Sequence, residues 1–344
     1  MIRVDGLRAG YPTGFRRAWR EILAGVTFEV PKGSITGYLG VNGAGKTTTI
    51  KVLVGINRPS GGGATIGGHA AGTPAAQRLL GYFPEAPFFY DSLSGRELLA
   101  FYGRLAGMER DERRSRAELL LDEVGLGGAK ETPVKGYSKG MRQRLGLAQA
   151  LIADPQVLIL DEPLDGLDPM GRLHLRGLIE RQREAGRTVF FSSHVLSDVE
   201  TVSDHLVILD GGGVAYSGTT DGLSGLEERV EVVIEAPVEL LEALKEAAGG
   251  VELEQKSAPS AGRCRYEALC SGPANAERMV RVALAGEGKL IAYSQRRANL
   301  EEAFLARFGS APAATPEAAS SAQAQGPAPE GSGAEATSPA EATS

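Results

Sequence analysis

The sequence predicts an α/β fold: a mostly parallel sheet with a helical insert, followed by a small α+β domain. Three stretches carry that prediction. Gly40-Val-Asn-Gly-Ala-Gly-Lys-Thr47 is a glycine turn between a β-rich run, Ser34 to Leu39, and good helix formers from Lys46 to Leu53. Gln156-Val-Leu-Ile-Leu160 is apolar without alternation and stops at Asp161-Glu162-Pro163, the pattern of a central parallel strand buried on both faces. Beyond about Ser224 the order becomes strand, helix, strand, strand, helix, strand, a ferredoxin-like arrangement.

Taken in order, Met1 to Leu7 and Ala24 to Val30 read as edge strands. Residues 14–22 read as a basic, aromatic-bearing loop at an exposed tip. Gly55 to Gly72 is glycine-rich and reads as turns. Leu80 to Pro84 is a short strand closed by proline. From Ser94 to Ala153 the apolar spacing becomes helical, with Leu98, Leu99, Tyr102 and Leu105 as one stripe, and with Leu119–Val124 and Met141–Ile152 as two more. After the Gln156–Leu160 strand come a helix over Gly171–Glu184, a strand over Thr188–Ser192 and a helix over Val199–Asp204. His205–Leu209 is the next strand, and this alternation predicts parallel crossovers.

In the second domain the expected strands are Arg229–Glu235, Val251–Gln255, Arg263–Leu269 and Lys289–Ser294, with helices over Pro237–Ala248 and Asn275–Ala285. A last helix, Asn299–Phe308, opens with Asn299 and, three residues on, Glu302. The rest is Ala, Pro, Ser, Glu and Gly, which cannot bury a core and is expected to be disordered. The boundaries are thus 1–223 (insert about 88–153), 224–309 and 310–344.

A chain of 344 residues is long enough for two domains. Its net charge is −6, but the stretch after Gly309 holds four Glu and no Lys or Arg, which leaves −2 for the rest. No basic body argues for nucleic acid. Two cysteines, Cys264 and Cys270, suggest a reducing compartment and no disulfide framework. The start, Met-Ile-Arg-Val-Asp-Gly, is not a signal peptide, and no apolar run reaches bilayer length, so a cytosolic protein is expected and any membrane role needs a partner.

The chemistry centres on the glycine turn. Glycines let backbone N–H groups turn inward around phosphate oxygens, and the helix start adds unpaired donors and the positive end of its dipole. Lys46 reaches outer phosphates and the Thr47 hydroxyl can hold Mg²⁺. Asp161, at the end of an apolar strand, is placed to share that metal, and adjacent Glu162 can polarise an attacking water as general base.

With these motifs in order, the sequence resembles an ABC-transporter ATP-binding subunit over roughly residues 1–220. Gly40, Val41, Asn42, Gly43, Ala44, Gly45, Lys46, Thr47 and Thr48 resemble the Walker A motif. Ser138-Lys139-Gly140-Met-Arg-Gln-Arg144, after Tyr137, resembles the ABC signature, Leu158 to Glu162 Walker B, and Gly166-Leu-Asp168-Pro169 the D-loop. His194 resembles the switch histidine, and Tyr11 sits where the family stacks an aromatic on adenine. The resemblance implies ATP and Mg²⁺ as cofactors. It also implies a head-to-tail pair with a second, identical subunit, ATP lying between one phosphate loop and the other subunit's Ser138 and Gly140. Two positions depart from the pattern: Glu85 stands where the family usually has Gln, though it can still ligate Mg²⁺, and Lys139 replaces a glycine.

The signature Tyr137 to Leu145 and the ending Asn299 to Leu305 look like the type-2 exporter group, whose ATPases drive drug, polysaccharide or sodium export. That implies an integral membrane permease as partner and a peripheral place on the inner face of the cell membrane. An importer motor and a soluble ABC ATPase acting on ribosomes or nucleic acid are the competing readings. Phe83 to Leu93 would receive a coupling helix of the permease; Phe88, Phe89 and Tyr90 either serve that docking surface or pack inside the insert.

Overall fold

The computed structural model describes residues 1–13, 18–223, 228–249, 253–256 and 262–297. The chain opens with two long strands, β1 (Ile2–Thr13) and β2 (Ala18–Val30), paired antiparallel from Ile2↔Val30 to Thr13↔Ala18. The expected loop over 14–22 is therefore a strand from Ala18 onward. Trp19 and Arg20 are exposed on this hairpin, so no buried face imposes alternation and the stretch has no strand signature.

Next come β3 (Ile35–Leu39), α1 (Lys46–Leu53), β4 (Gly61–Ile66), β5 (His69–Ala70) and α2 (Pro74–Gln77). Where turns were expected, Gly61 to Ile66 pairs with β1. Its glycines fit a tight seam: Gly62 has φ +63°, and a Cβ there would lie 2.1 Å from the Gly6 carbonyl oxygen. β6 (Leu80–Phe83) then leads into the insert, α3 (Gly95–Leu105), α4 (Arg110–Glu123) and α5 (Lys139–Leu151). α3 starts on a Ser94–Glu97 capping box and buries Leu98 and Leu99. Leu105, expected on the same stripe, lies in the last turn of α3 and is exposed, as is Leu119 on α4.

The chain then forms β7 (Val157–Leu160), α6 (Pro169–Glu184), β8 (Thr188–Ser193), α7 (Leu196–Val202), β9 (His205–Asp210), β10 (Gly213–Thr219) and α8 (Thr220–Leu223). The central sheet has the order β10-β9-β3-β8-β7-β6, parallel except for β10 on the edge. Its strands split their side chains between two cores. Leu39, Leu158, Leu160 and Phe191 face the helices, while Tyr38, Ile159 and Phe190 pack with Val4, Leu23 and Phe28 of the β1–β2 sheet. Apolar side chains on both faces explain the unbroken apolar runs.

The final elements are β11 (Glu228–Pro237), α9 (Leu241–Ala247), β12 (Leu253–Gln255), β13 (Arg263–Ser271), α10 (Pro273–Ala285) and β14 (Lys289–Arg297). The first expected helix is shorter than its sequence signal, because Val238–Leu240 forms a 3₁₀ turn ahead of α9. The four strands make an antiparallel sheet in the order β12-β13-β11-β14, over a core that includes Val232, Ile234, Tyr266 and Met279. This is the expected βαββαβ sequence with ferredoxin-like adjacency. The helix expected over 299–308 and the tail from 310 lie outside the described residues. No helix among the described residues is long and apolar enough to cross a membrane.

Candidate functional site

A cavity of about 410 Å³ opens where the turn after β3 enters α1. Its floor is Asn42, Gly43, Gly45, Lys46, Thr47 and Thr48. Gly43 has φ +85° and Gly45, at the helix N-cap, φ +111°; a Cβ on Gly45 would lie 2.5 Å from Leu23 Cδ2. The turn thus requires glycine there for both backbone and space. Gly40 and Val41 shape the loop from behind: the buried Lys46 Nζ donates to the Gly40 carbonyl at 2.6 Å and to the Val41 carbonyl at 3.5 Å. Ala44 is buried in the sheet core beneath.

The strand ends supply the acids. Asp161 follows β7 and is buried; it accepts from Ser192 Oγ at 2.7 Å and from Thr47 Oγ1 at 3.5 Å. Burial pushes its carboxyl above the ordinary carboxylate range, the Ser192 bond opposes this, and the nearby charges of Glu85 and Glu162 add to the rise. The same environment moves the Tyr82 phenol up to about 12, chiefly by burial, with Asp161 and Glu85 contributing.

Glu162 has φ +46°, a left-handed conformation that costs a glutamate on the order of 1 kcal/mol or more. Its N–H is held by Ser192 Oγ at 2.8 Å. Turned this way, its carboxylate meets Lys46 Nζ at 3.3 Å through Oε1 and His194 Nδ1 at 2.9 Å through Oε2. His194 sits between β8 and α7, and α7 is tied to α6 by the buried Asp198, which pairs with Arg176 and, at 3.7 Å, with Arg172.

Tyr11, Ile22, Glu85, Glu162, Asp165 and His194 complete the cavity wall. The Tyr11 hydroxyl donates to Thr48 Oγ1 at 3.3 Å and accepts from Asn57 Nδ2 at 2.7 Å, which fixes the ring at the mouth. The structure therefore gathers the glycine loop, Tyr11, Glu85, Glu162 and His194 around one space, with Asp161 buried behind Thr47. It does not bring Ser138, Gly140 or Asp168 into it. Ser138 is the exposed N-cap of α5, accepting from Met141 N–H at 3.3 Å, with half-buried Gly140 two residues on. Asp168 caps α6, accepting from Gly171 N–H at 2.8 Å.

Sequence reasoning missed Ile22, Asp165 and Ser192. Ser192 carried a signal: a polar residue beside Phe190 and Phe191 in a strand buried throughout, where a hydroxyl needs a partner.

Mg²⁺ is bound by hard oxygen donors and is often held by one or two carboxylates together with substrate phosphates. Thr47, Asp161 and Glu85 offer that donor chemistry; burial is the main reason the Asp161 carboxyl is raised, and the smaller contribution from the charges of Glu85 and Glu162 is one a cation would relieve. Among the described residues no group of three or more His, Cys, Asp or Glu side chains is placed to hold a metal by itself.

Comparison with known proteins gives the same direction. A family model described as ABC transporter matches residues 23–165. An uncharacterized ABC transporter ATP-binding protein of Synechocystis sp. is 42% identical over 248 residues, which is 71% of this chain and 70% of that protein. The daunorubicin/doxorubicin resistance ATP-binding protein DrrA of Streptomyces peucetius is 34% identical over 291 residues, 83% of this chain and 87% of its own. A solved structure described as the ATP binding subunit of an ABC transporter superposes with a TM-score of 0.56 at 33% identity, covering 65% of this chain and 91% of that one. The family match spans the phosphate loop and the acid pair alike, and together with the relatives it makes the chain a member of the ABC transporter ATP-binding proteins, an ABC-type ATPase that binds ATP.

Proposed function

We propose that this ATPase is the motor of an export system: two copies pair head to tail around ATP and drive a separate membrane permease. One observation carries the pairing. The phosphate loop, Glu85, Glu162 and His194 share one cavity, while a second helix start suited to an anion, at Ser138–Gly140, lies outside it, with Ser138 exposed. A helix N-terminus with open donors suits a γ-phosphate held by another subunit.

Within each site the roles follow from position. Lys46 neutralises the outer phosphates, and Tyr11 stacks on the base. Phosphate oxygens compete with Glu162 for the Lys46 ammonium, which leaves Glu162 paired with His194 and free to accept a proton from water. His194 orients the Glu162 carboxylate through Oε2 and reaches toward the γ-phosphate. Thr47, Asp161 and Glu85 are the residues that would hold Mg²⁺, whose charge would offset that of the phosphate oxygens. Asp168, capping α6, belongs to the surface that meets the partner.

Export is supported by the likeness to a drug-resistance ATP-binding protein and by the signature from Tyr137 to Leu145. The exposed ring of Phe88 stacks edge-on with Tyr90, and Tyr90 with Phe101, forming an aromatic surface on the insert suited to a permease helix. Phe89 is no part of it: at 4% exposure it is core.

Sedimentation of the Glu162→Gln variant tests the pairing. The amide cannot take the proton, so ATP should persist and hold a dimer that disappears with ADP. A monomer in saturating ATP overturns the proposal.

A further inference from the structure

The Lys at signature position 139 lies against the D-loop of its own chain. Lys139 Nζ is 3.9 Å from Asp165 Oδ2. The side chain crosses the face of Gly166: a Cβ on that glycine would lie 1.7 Å from Nζ and 2.9 Å from Cε. Gly166 has φ +61°, so this turn accepts glycine for its backbone and makes room for the lysine as well. One residue on, Leu167 Cδ2 approaches within 3.7 Å of the Cβ position of Gly140. The two segments are therefore fitted to each other.

Asp165 lines the same cavity as Lys46, Thr47 and Glu162. A carboxylate there repels a bound polyphosphate. Its own N–H is spent on the Glu162 carbonyl at 3.2 Å, which keeps the residue at the cavity rim. The Lys139 ammonium is a cation placed beside it, at 3.9 Å.

We infer that Lys139 is a positioning residue for nucleotide binding: from the signature helix it offsets the charge of Asp165 and so sets the nucleotide affinity of its own chain's cavity. This rests on the reading of that cavity as the phosphate site. The consequence is a physical link between the helix start that receives the partner's nucleotide and the pocket that holds the chain's own. A γ-phosphate arriving at α5 competes with Asp165 for one ammonium.

The test is MgADP binding to the full chain by titration calorimetry, because ADP lacks the γ-phosphate that would engage a partner. Lys139→Met should weaken MgADP binding about two- to fivefold at low salt, the range of a partly exposed charge pair, and the loss should fade at high ionic strength. Lys139→Arg should bind as wild type does. Asp165→Asn should bind at least as tightly as wild type, and Lys139→Met/Asp165→Asn should recover that affinity, because no charge is left to offset. Affinity unchanged in Lys139→Met, or a double variant as weak as Lys139→Met, overturns the inference. Lys46→Ala separates the two failures. If it binds MgADP like wild type, the phosphate-site reading has failed. If it loses binding while Lys139→Met does not, the inference alone has failed.

Discussion

His194 Nδ1 lies 2.9 Å from Glu162 Oε2, and that contact joins two segments 32 residues apart at the edge of the nucleotide cavity. The strained backbone of Glu162 makes the contact possible: at φ +46° the side chain turns into the cavity, toward the histidine.

If Glu162 is the proton acceptor as proposed, His194→Ala should reduce turnover by about 10²-fold or more while leaving ATP affinity within a few-fold of wild type, since the contact orients that carboxylate. Steady-state kinetics beside equilibrium nucleotide binding separates the two effects. A variant with full turnover removes His194 from the mechanism.

The buried Asp161 gives a pH prediction. Its carboxyl is raised above the ordinary range by burial, so the folded chain holds that proton more tightly than the unfolded chain does. Stability of the metal-free, nucleotide-free protein then falls as pH rises from the ordinary carboxylate value through the raised one, and stays lower above it. Asp161→Asn keeps an acceptor for Ser192 and removes the charge. It should melt above wild type at neutral pH, with the gap closing in acid. A variant that melts lower at neutral pH contradicts the assigned cause.

Phe88 and Phe89 should behave oppositely when each is changed to Ser. Phe89 is in the main core and should lose roughly 3 kcal/mol or more of stability. Phe88, 83% exposed, should leave melting and basal ATPase activity near wild type. Co-purification with a permease should weaken for Phe88→Ser if the aromatic surface is a docking site, and equal recovery of both proteins would sink that assignment.

What the sequence showed and what it hid follow one physical division. The glycine loop was legible because its residues are contiguous and its chemistry admits few substitutes. The central strands were legible because both faces are buried, as Leu158 and Ile159 on opposite cores show. The β1–β2 ladder beyond Tyr11 was not, since exposed Trp19 and Arg20 obey no periodicity. Nor was β4, whose glycines read as turns yet fit a close seam with β1. Within the site, Ser192 joins Asp161 and Glu162 only through tertiary pairing, 31 and 30 residues away along the chain. Neighbouring Phe88 and Phe89 are alike in composition, and the fold alone decides that one is exposed and the other buried.

The central claim, that each active unit takes its phosphate loop from one chain and its signature helix from another, is tested most directly by mixing two inactive variants. Lys46→Ala disables the phosphate loop. Gly140→Asp puts a carboxylate at the start of α5; its Cβ meets Leu167 Cδ2 at an ordinary 3.7 Å, so the helix should form normally. Each alone should hydrolyse almost no ATP. A random equimolar mixture should regain roughly a quarter of the wild-type rate, because about half the pairs are mixed and each mixed pair has one intact site of two. A mixture as inactive as its components, or Gly140→Asp as active as wild type by itself, would contradict the account.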